Sequence, residues 1–290
     1  MPLAPKNIST IKDLLQELKN TLANLEAVQE AHIILENILN LEPSELITNL
    51  DNRLSKNQIK TILDIRDKRN QEKIPLAYLL EEADFASLKF FVNDDVLIPR
   101  PETEFLVNLV LDEIKERKIH HPSILDLGTG SGCIAISLKK ALPFAEVFAS
   151  DISQAALNVA AINAKRNKAE VNFIMGDYLD PFLNISHSPI ALPIMRSAPP
   201  YFDVIVANPP YISPEEYQNL EAELYHEPKH ALVGFPYEHI KKQIQENNLL
   251  KENGFMAFEF GFQQKNKLEK IFPTAVFYKD LEDNDRFLIQ

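Results

Sequence analysis

Two short runs of this sequence carry the residue types that do chemistry. The first is Asp126-Leu127-Gly128-Thr129-Gly130-Ser131-Gly132, which holds three of the chain's seven glycines. Glycine averages about 7% of residues in soluble domains, so a chain this sparing keeps it where a side chain would obstruct. A glycine turn between a strand and a helix is where a doubly wound sheet meets a nucleotide-like ligand. Asp151 lies 19 residues past Gly132. A carboxylate there can accept from both hydroxyls of a ribose, or cap the helix that follows. Beside the glycine loop, the ligand role is favoured. Tyr178 falls after the next apolar run and can stack on a base or pack in the core. The second run is Asn208-Pro209-Pro210-Tyr211. The Asn208 amide offers an acceptor and two donors, enough to grip a planar –NH₂ group. The Pro209 carbonyl can accept from the same group. Two prolines stiffen the turn and bring no competing N–H, and Tyr211 can stack on a flat amide or base. Alone, these four residues read as an ordinary turn. At a strand end beside a ligand loop, they read as an acceptor site. Cys133 reads as a small buried residue rather than a nucleophile, and no metal ligands are assigned.

The elements that must hold these runs follow from hydrophobic periodicity. From residue 123, strands and helices alternate: strands at 124–127, 145–150, 170–175, 202–207 and 255–260, with helices at 134–142, 153–167, 236–252 and 262–271. Such alternation predicts an α/β domain, a mostly parallel sheet with helices on both faces. The closing pair, 274–279 and 286–289, is joined by a short acidic loop and predicts an antiparallel hairpin at the sheet's end. Residues 5–73 contain no glycine and show helical spacing, with Ser9, Ser44 and Ser55 as candidate caps. They predict a helical bundle whose Leu/Ile pattern is core packing. Phe85, Phe90, Val92, Val96 and Ile98 flank Asn93-Asp94-Asp95 and predict two strands turning there. The expected domains are 1–75 (helical), 76–100 (hairpin linker) and 101–290 (α/β). The Pro-, Ser- and Ile-rich stretch 183–200 reads as a mobile loop.

Composition narrows the function. The net charge is −12, from 30 basic and 42 acidic residues, and nearly all of the excess falls after residue 75. A chain gripping nucleic acid through phosphates needs a basic stripe, so direct nucleic-acid binding is not expected. No apolar run reaches the ~18 residues of a membrane span, and residues 1–20 lack a secretory apolar core. With one cysteine, no internal disulfide forms. A cytoplasmic monomer is expected.

The glycine spacing decides the ligand class. A dinucleotide fingerprint requires a third glycine or alanine one place later, where Cys133 stands. The observed Gly-x-Gly-x-Gly after an acidic residue resembles the first motif of S-adenosylmethionine-dependent methyltransferases. With the Asn-Pro-Pro-Tyr run, the chain resembles the HemK/PrmC protein-glutamine methyltransferases. The resemblance extends to Pro75-Leu76-Ala77-Tyr78, to Leu97-Ile98-Pro99-Arg100-Pro101-Glu102-Thr103-Glu104, to Glu227-Pro228 with Ala231-Leu232, and to Lys279-Asp280-Leu281 with Asn284-Asp285-Arg286. It implies a Rossmann-like methyltransferase sheet of seven strands behind an N-terminal helical domain that docks the substrate. It implies methylation of the glutamine side-chain amide in the Gly-Gly-Gln tip of class I peptide chain release factors. By position, Gly128, Thr129, Gly130, Ser131, Gly132, Asp151, Tyr178 and Asn208 would bind S-adenosylmethionine. Asn208, Pro209, Pro210 and Tyr211 would hold the acceptor glutamine. The sequence departs from the family pattern in four places. No glycine lies within 79–88, Ser131-Gly132-Cys133 replaces the common Thr-Gly-Ala, Gly234–Tyr237 lacks the usual Asp-Gly pair, and the loop at 180–200 is long. An adenine amino-methyltransferase of DNA or RNA fits the same –NH₂ chemistry, though it would have to flip its base. A non-catalytic adenosyl-ligand protein would keep the glycine loop and Asp151 without needing Asn208. A nicotinamide dehydrogenase fits the glycine spacing worst.

Overall fold

The computed structural model describes residues 8–23, 26–183 and 201–290. The stretch expected to be a mobile loop lies, from residue 184 onward, outside them. The chain divides into two compact units. One holds the chain up to Glu81 together with Glu221–His226, and the other holds Glu82–Leu220 and Glu227–Gln290.

The smaller unit is built of α1 (Ile11–Thr21), α2 (Ala27–Leu39), α3 (Pro43–Thr48), α4 (Lys56–Gln71) and α5 (Leu76–Leu80). They close on Leu14, Leu18, Ile34, Leu35 and Ile62. Thr10, not Ser9, caps α1, because its hydroxyl accepts from the Asp13 N–H while Asp13 reaches back to the Thr10 N–H. Ser44 lies inside α3. Pro43, with its fixed φ, takes the first turn and leaves Glu42 as the cap. Ser55 does cap α4. The distant segment Ala222–His226 joins this unit as a 3₁₀ turn. Its Glu223 pairs with Arg69 at 2.5 Å, and Arg69 also meets Glu30 at 2.8 Å. Two carboxylates thus satisfy an almost buried guanidinium that would be costly to leave unpaired.

The larger unit opens with a hairpin, β1 (Ala83–Phe85) and β2 (Leu88–Phe90). The turn is at Ala86-Ser87, both with positive φ (49° and 60°), and not at 93–95. Two left-handed residues give a hairpin turn the twist its strands need. Ala-Ser is an unusual choice there, which is why the sequence pointed elsewhere. Asn93–Asp95 form a separate tight turn, with Val96 N–H donating to the Asn93 carbonyl at 3.2 Å.

The main sheet contains β3 (Ser123–Leu127), β4 (Glu146–Asp151), β5 (Asn172–Met175), β6 (Phe202–Ala207), β7 (Leu250–Glu259), β8 (Val276–Lys279) and β9 (Asp285–Ile289). Among the described residues its order is β5-β4-β3-β6-β7-β9-β8. The first five strands are parallel, and β9 runs antiparallel to both β7 and β8. This is the expected Rossmann-like, mostly parallel sheet of seven strands with an antiparallel closing hairpin. Strand residues alternate between two apolar layers. Ile124, Val147, Val204 and Phe255 face α6 (Pro101–Glu116) and α7 (Cys133–Ala141), with Ala164 of α8 (Gln154–Arg166) in the same layer. Leu125, Phe148, Ile205 and Met256 pack in the other layer with Ile240 and Ile244 of α12 and Leu268 of α13. Those two helices span Tyr237–Glu246 and Lys265–Ile271, and α9 (Asp180–Leu183), α10 (Pro214–Tyr217) and α11 (Lys229–Leu232) are single short turns. The helix expected at 236–252 stops at Glu246, because Leu250 already pairs with Phe202 as the first residue of β7.

Candidate active site

The strand order reverses at β3, which has β4 on one side and β6 on the other. In open α/β sheets, ligands bind at such a switch point, outside the carboxyl ends of the strands. Register brings the two chemical runs together there. Asp126 pairs with Val206, so Gly128 and Asn208, each two residues further on, leave the sheet side by side.

A cavity of about 350 Å³ opens at this edge, entirely within the larger unit. Gly128, Thr129, Gly130, Ser131, Asp151, Tyr178, Asn208 and Pro210 line it. Gly132, Pro209 and Tyr211 are not among its lining residues. Gly132 begins α7 with φ +82°, and a Cβ there would come within 2.9 Å of Ile136 Cδ1 and 3.2 Å of Ala160 Cβ. Its smallness serves helix packing. Tyr211 lines a neighbouring cleft with Gly261, Gln264 and Arg286. Its carbonyl accepts from Gln264 Nε2 at 2.7 Å, and burial pushes its phenol up to about 12.

The loop is held open by its own backbone. Gly128 and Gly130 have φ of +69° and +52°, and a Cβ on either would meet nothing within 4 Å. Space for ligand atoms therefore lies directly against the main chain. Asp151 braces the loop by accepting the Gly130 N–H at 2.9 Å, and its other oxygen accepts the Ser153 N–H at 2.9 Å. Ser153, not Asp151, caps α8. Behind the loop, Asp126 is almost fully buried and accepts from Thr129 Oγ1 (2.6 Å) and the Ala135 N–H (3.2 Å). Desolvation raises its carboxyl to about 7 against the pull of those two bonds, and the charge of Asp151 adds to the rise. Tyr178 lines the cavity with φ +42° and meets Phe235 edge-on at 5.1 Å.

Sequence reasoning missed several residues of this site. Asn163 is fully buried on α8, and its Nδ2 donates to the carbonyls of Phe91 and Ser131, both at 2.9 Å. Its Oδ1 accepts the Phe91 N–H at 2.6 Å. It thus ties the glycine loop to the segment after the hairpin. Thr103 and Arg100 also line the cavity. Arg100 pairs with buried Glu227, whose Oε2 accepts the Ile98 N–H at 3.2 Å. A polar residue at a helical core spacing, such as Thr103 among Leu106, Val107 and Val110, is the one signal that could have exposed this layer. Among the described residues, no group of three His, Cys, Asp or Glu side chains could hold a metal.

Residues 102–234 match the Methyltransferase small domain, and residues 13–80 match the PrmC N-terminal domain. The release factor glutamine methyltransferase of Bacillus anthracis is 38% identical over 218 residues, 70% of this chain and 71% of that protein. That of Flavobacterium psychrophilum is 34% identical over 277 residues, 89% of each chain. The Bacillus subtilis protein is 37% identical over 230 residues, 74% of this chain and 75% of its own. The chain belongs to the release factor glutamine methyltransferase family. As a member it is an S-adenosylmethionine-dependent methyltransferase.

The cavity fits the methyl donor of this methyltransferase family on two observations. The glycine loop presents bare backbone to open space. The Asp151 carboxylate lines the cavity with each oxygen holding a single backbone donor, leaving lone pairs for ribose hydroxyls. The Asn208 Oδ1 is buried without a hydrogen-bond partner, an acceptor left over for a second ligand beside that donor.

Proposed function

We propose that this enzyme methylates the side-chain amide nitrogen of the Gly-Gly-Gln glutamine in class I peptide chain release factors, in the cytoplasm where those factors act. The observation that carries this reading is the unpartnered Asn208 Oδ1 at the tip of β6, beside the glycine loop. When bound, S-adenosylmethionine supplies a methyl group already activated on a positively charged sulfur. Gly128–Ser131 and Asp151 hold it, and Tyr178 walls the base end. Asn208 Oδ1 and the Pro209 carbonyl accept the two N–H groups of the acceptor carboxamide.

An amide nitrogen is a weak nucleophile because its lone pair is delocalised. The chain's contribution is therefore orientation and two preplaced oxygens that stabilise positive charge developing on nitrogen. The Asn-Pro-Pro turn keeps both oxygens rigid. Tyr211, seated in the adjacent cleft, flanks the path of the acceptor peptide. The acidic total charge supports a protein acceptor over a nucleic acid.

The test is mass spectrometry of a release factor incubated with the full chain and the donor. One methyl group on the Gly-Gly-Gln peptide is expected with the native chain, and none with Asn208→Ala, whose donor affinity stays within a few-fold. Full activity of Asn208→Ala would refute the acceptor role.

A further inference from the structure

An asparagine side chain can present either its oxygen or its NH₂ to a ligand, and only the oxygen can hold an amide N–H. In this structure the choice is made behind the cavity. Asn208 Nδ2 donates to Thr103 Oγ1 at 2.8 Å, and Thr103 Oγ1 donates to Glu259 Oε2 at 2.7 Å. Thr103 and Glu259 are both almost fully buried. The hydroxyl has one proton. An ionised Glu259 is acceptor-only and claims it, which leaves Thr103 Oγ1 only lone pairs to offer. Asn208 must then spend its NH₂ on Thr103 and keep its oxygen, buried and unpartnered, for a ligand. The flipped amide would set two oxygens face to face at 2.8 Å with no proton between them.

We infer that Thr103 and Glu259 are positioning residues that lock the Asn208 amide in its acceptor-binding orientation. This deepens, and rests on, the role proposed above for Asn208.

Protonation would loosen the lock, since a neutral Glu259 could donate to Thr103 and free the hydroxyl to serve a flipped amide. The groups around Glu259 set that point. Desolvation raises its carboxyl to about 7, with Glu102 adding to the rise, while the Thr103 bond, Arg286 and Arg100 oppose it. Tyr211, Tyr237 and Cys133 also feel its charge, and the Tyr237 hydroxyl donates to the Glu259 main-chain carbonyl at 3.1 Å.

The experiment uses the full chain with Thr103→Val, Thr103→Ser and Glu259→Gln, and has two readouts. In methyl-transfer kinetics, Thr103→Val should lower kcat about 100-fold, the scale of a misplaced reacting group, with donor affinity within a few-fold. Thr103→Ser should restore most of it. The native kcat should rise with pH through about 7, and Glu259→Gln should abolish that rise. The second readout is the side-chain ¹⁵N–H₂ resonance of Asn208, recorded without donor or acceptor. It should be protected and shift near the same pH in the native chain. It should lose protection in Thr103→Val and lose the shift in Glu259→Gln. Native kcat in Thr103→Val, or an Asn208 resonance indifferent to both substitutions, would overturn the lock. If Thr103→Val does not fold, Glu259→Gln decides alone on the same two readouts. A native chain that leaves the release factor unmethylated refutes the acceptor assignment instead, and the resonance still decides the lock.

Discussion

Replacing Asn163 with alanine should unfasten the glycine loop. Three hydrogen bonds disappear together: two donated to the Phe91 and Ser131 carbonyls and one accepted from the Phe91 N–H. Each net bond contributes about 1 kcal/mol, and a buried group left without its partner costs about 1–3 kcal/mol. With water able to reach some of the released groups, the loss should be about 3 kcal/mol. For a unit of about 200 residues, each kcal/mol moves the melting temperature by roughly 2–4 °C, so the transition of the larger unit should fall by about 10 °C. The measurement is a calorimetric melt of the full chain, with donor affinity read in parallel by titration calorimetry. Affinity should weaken as well, because Ser131 lines the cavity. Asn163→Asp should fare no better, since it sets a carboxylate against two carbonyl oxygens. An Asn163→Ala chain melting within about 2 °C of the native one would refute this account of the loop's support.

Asp151→Ala removes the loop's brace and the acceptor proposed for two ribose hydroxyls. Bonds to a charged group contribute about 1.5–3 kcal/mol each, so donor affinity should drop at least about 100-fold by calorimetric titration. Gly132→Ala combines a left-handed backbone, costing about 1–2 kcal/mol, with the 2.9 Å approach to Ile136. It should melt lower than Gly130→Ala, which bears backbone strain alone but should lose more donor affinity. The Asp126 carboxyl, raised to about 7 when folded, holds its proton where the unfolded chain has lost it. Its stabilising contribution is full below about pH 4, the ordinary Asp range, and is lost as pH rises to about 7. Asp126→Asn should flatten that decline in melting temperature, and an unchanged slope would contradict it.

The sequence by itself determined what could be read locally. The α/β alternation, the glycine loop and the rigid Asn-Pro-Pro-Tyr turn show in residue types and spacing, because strand period, positive φ and proline geometry are short-range constraints. It misplaced the hairpin turn, because Ala86 and Ser87 adopt left-handed φ without glycine or asparagine to announce it. It missed Asn163, Thr103, Glu259 and the Arg100–Glu227 pair, whose partners lie roughly 30 to 160 residues away along the chain. It also missed the passage of Glu221–His226 into the helical unit. Tertiary structure alone decided these. A buried polar side chain takes its role from whatever donor or acceptor the fold brings within about 3 Å, and that distance is set by packing, which leaves no periodic trace in the chain.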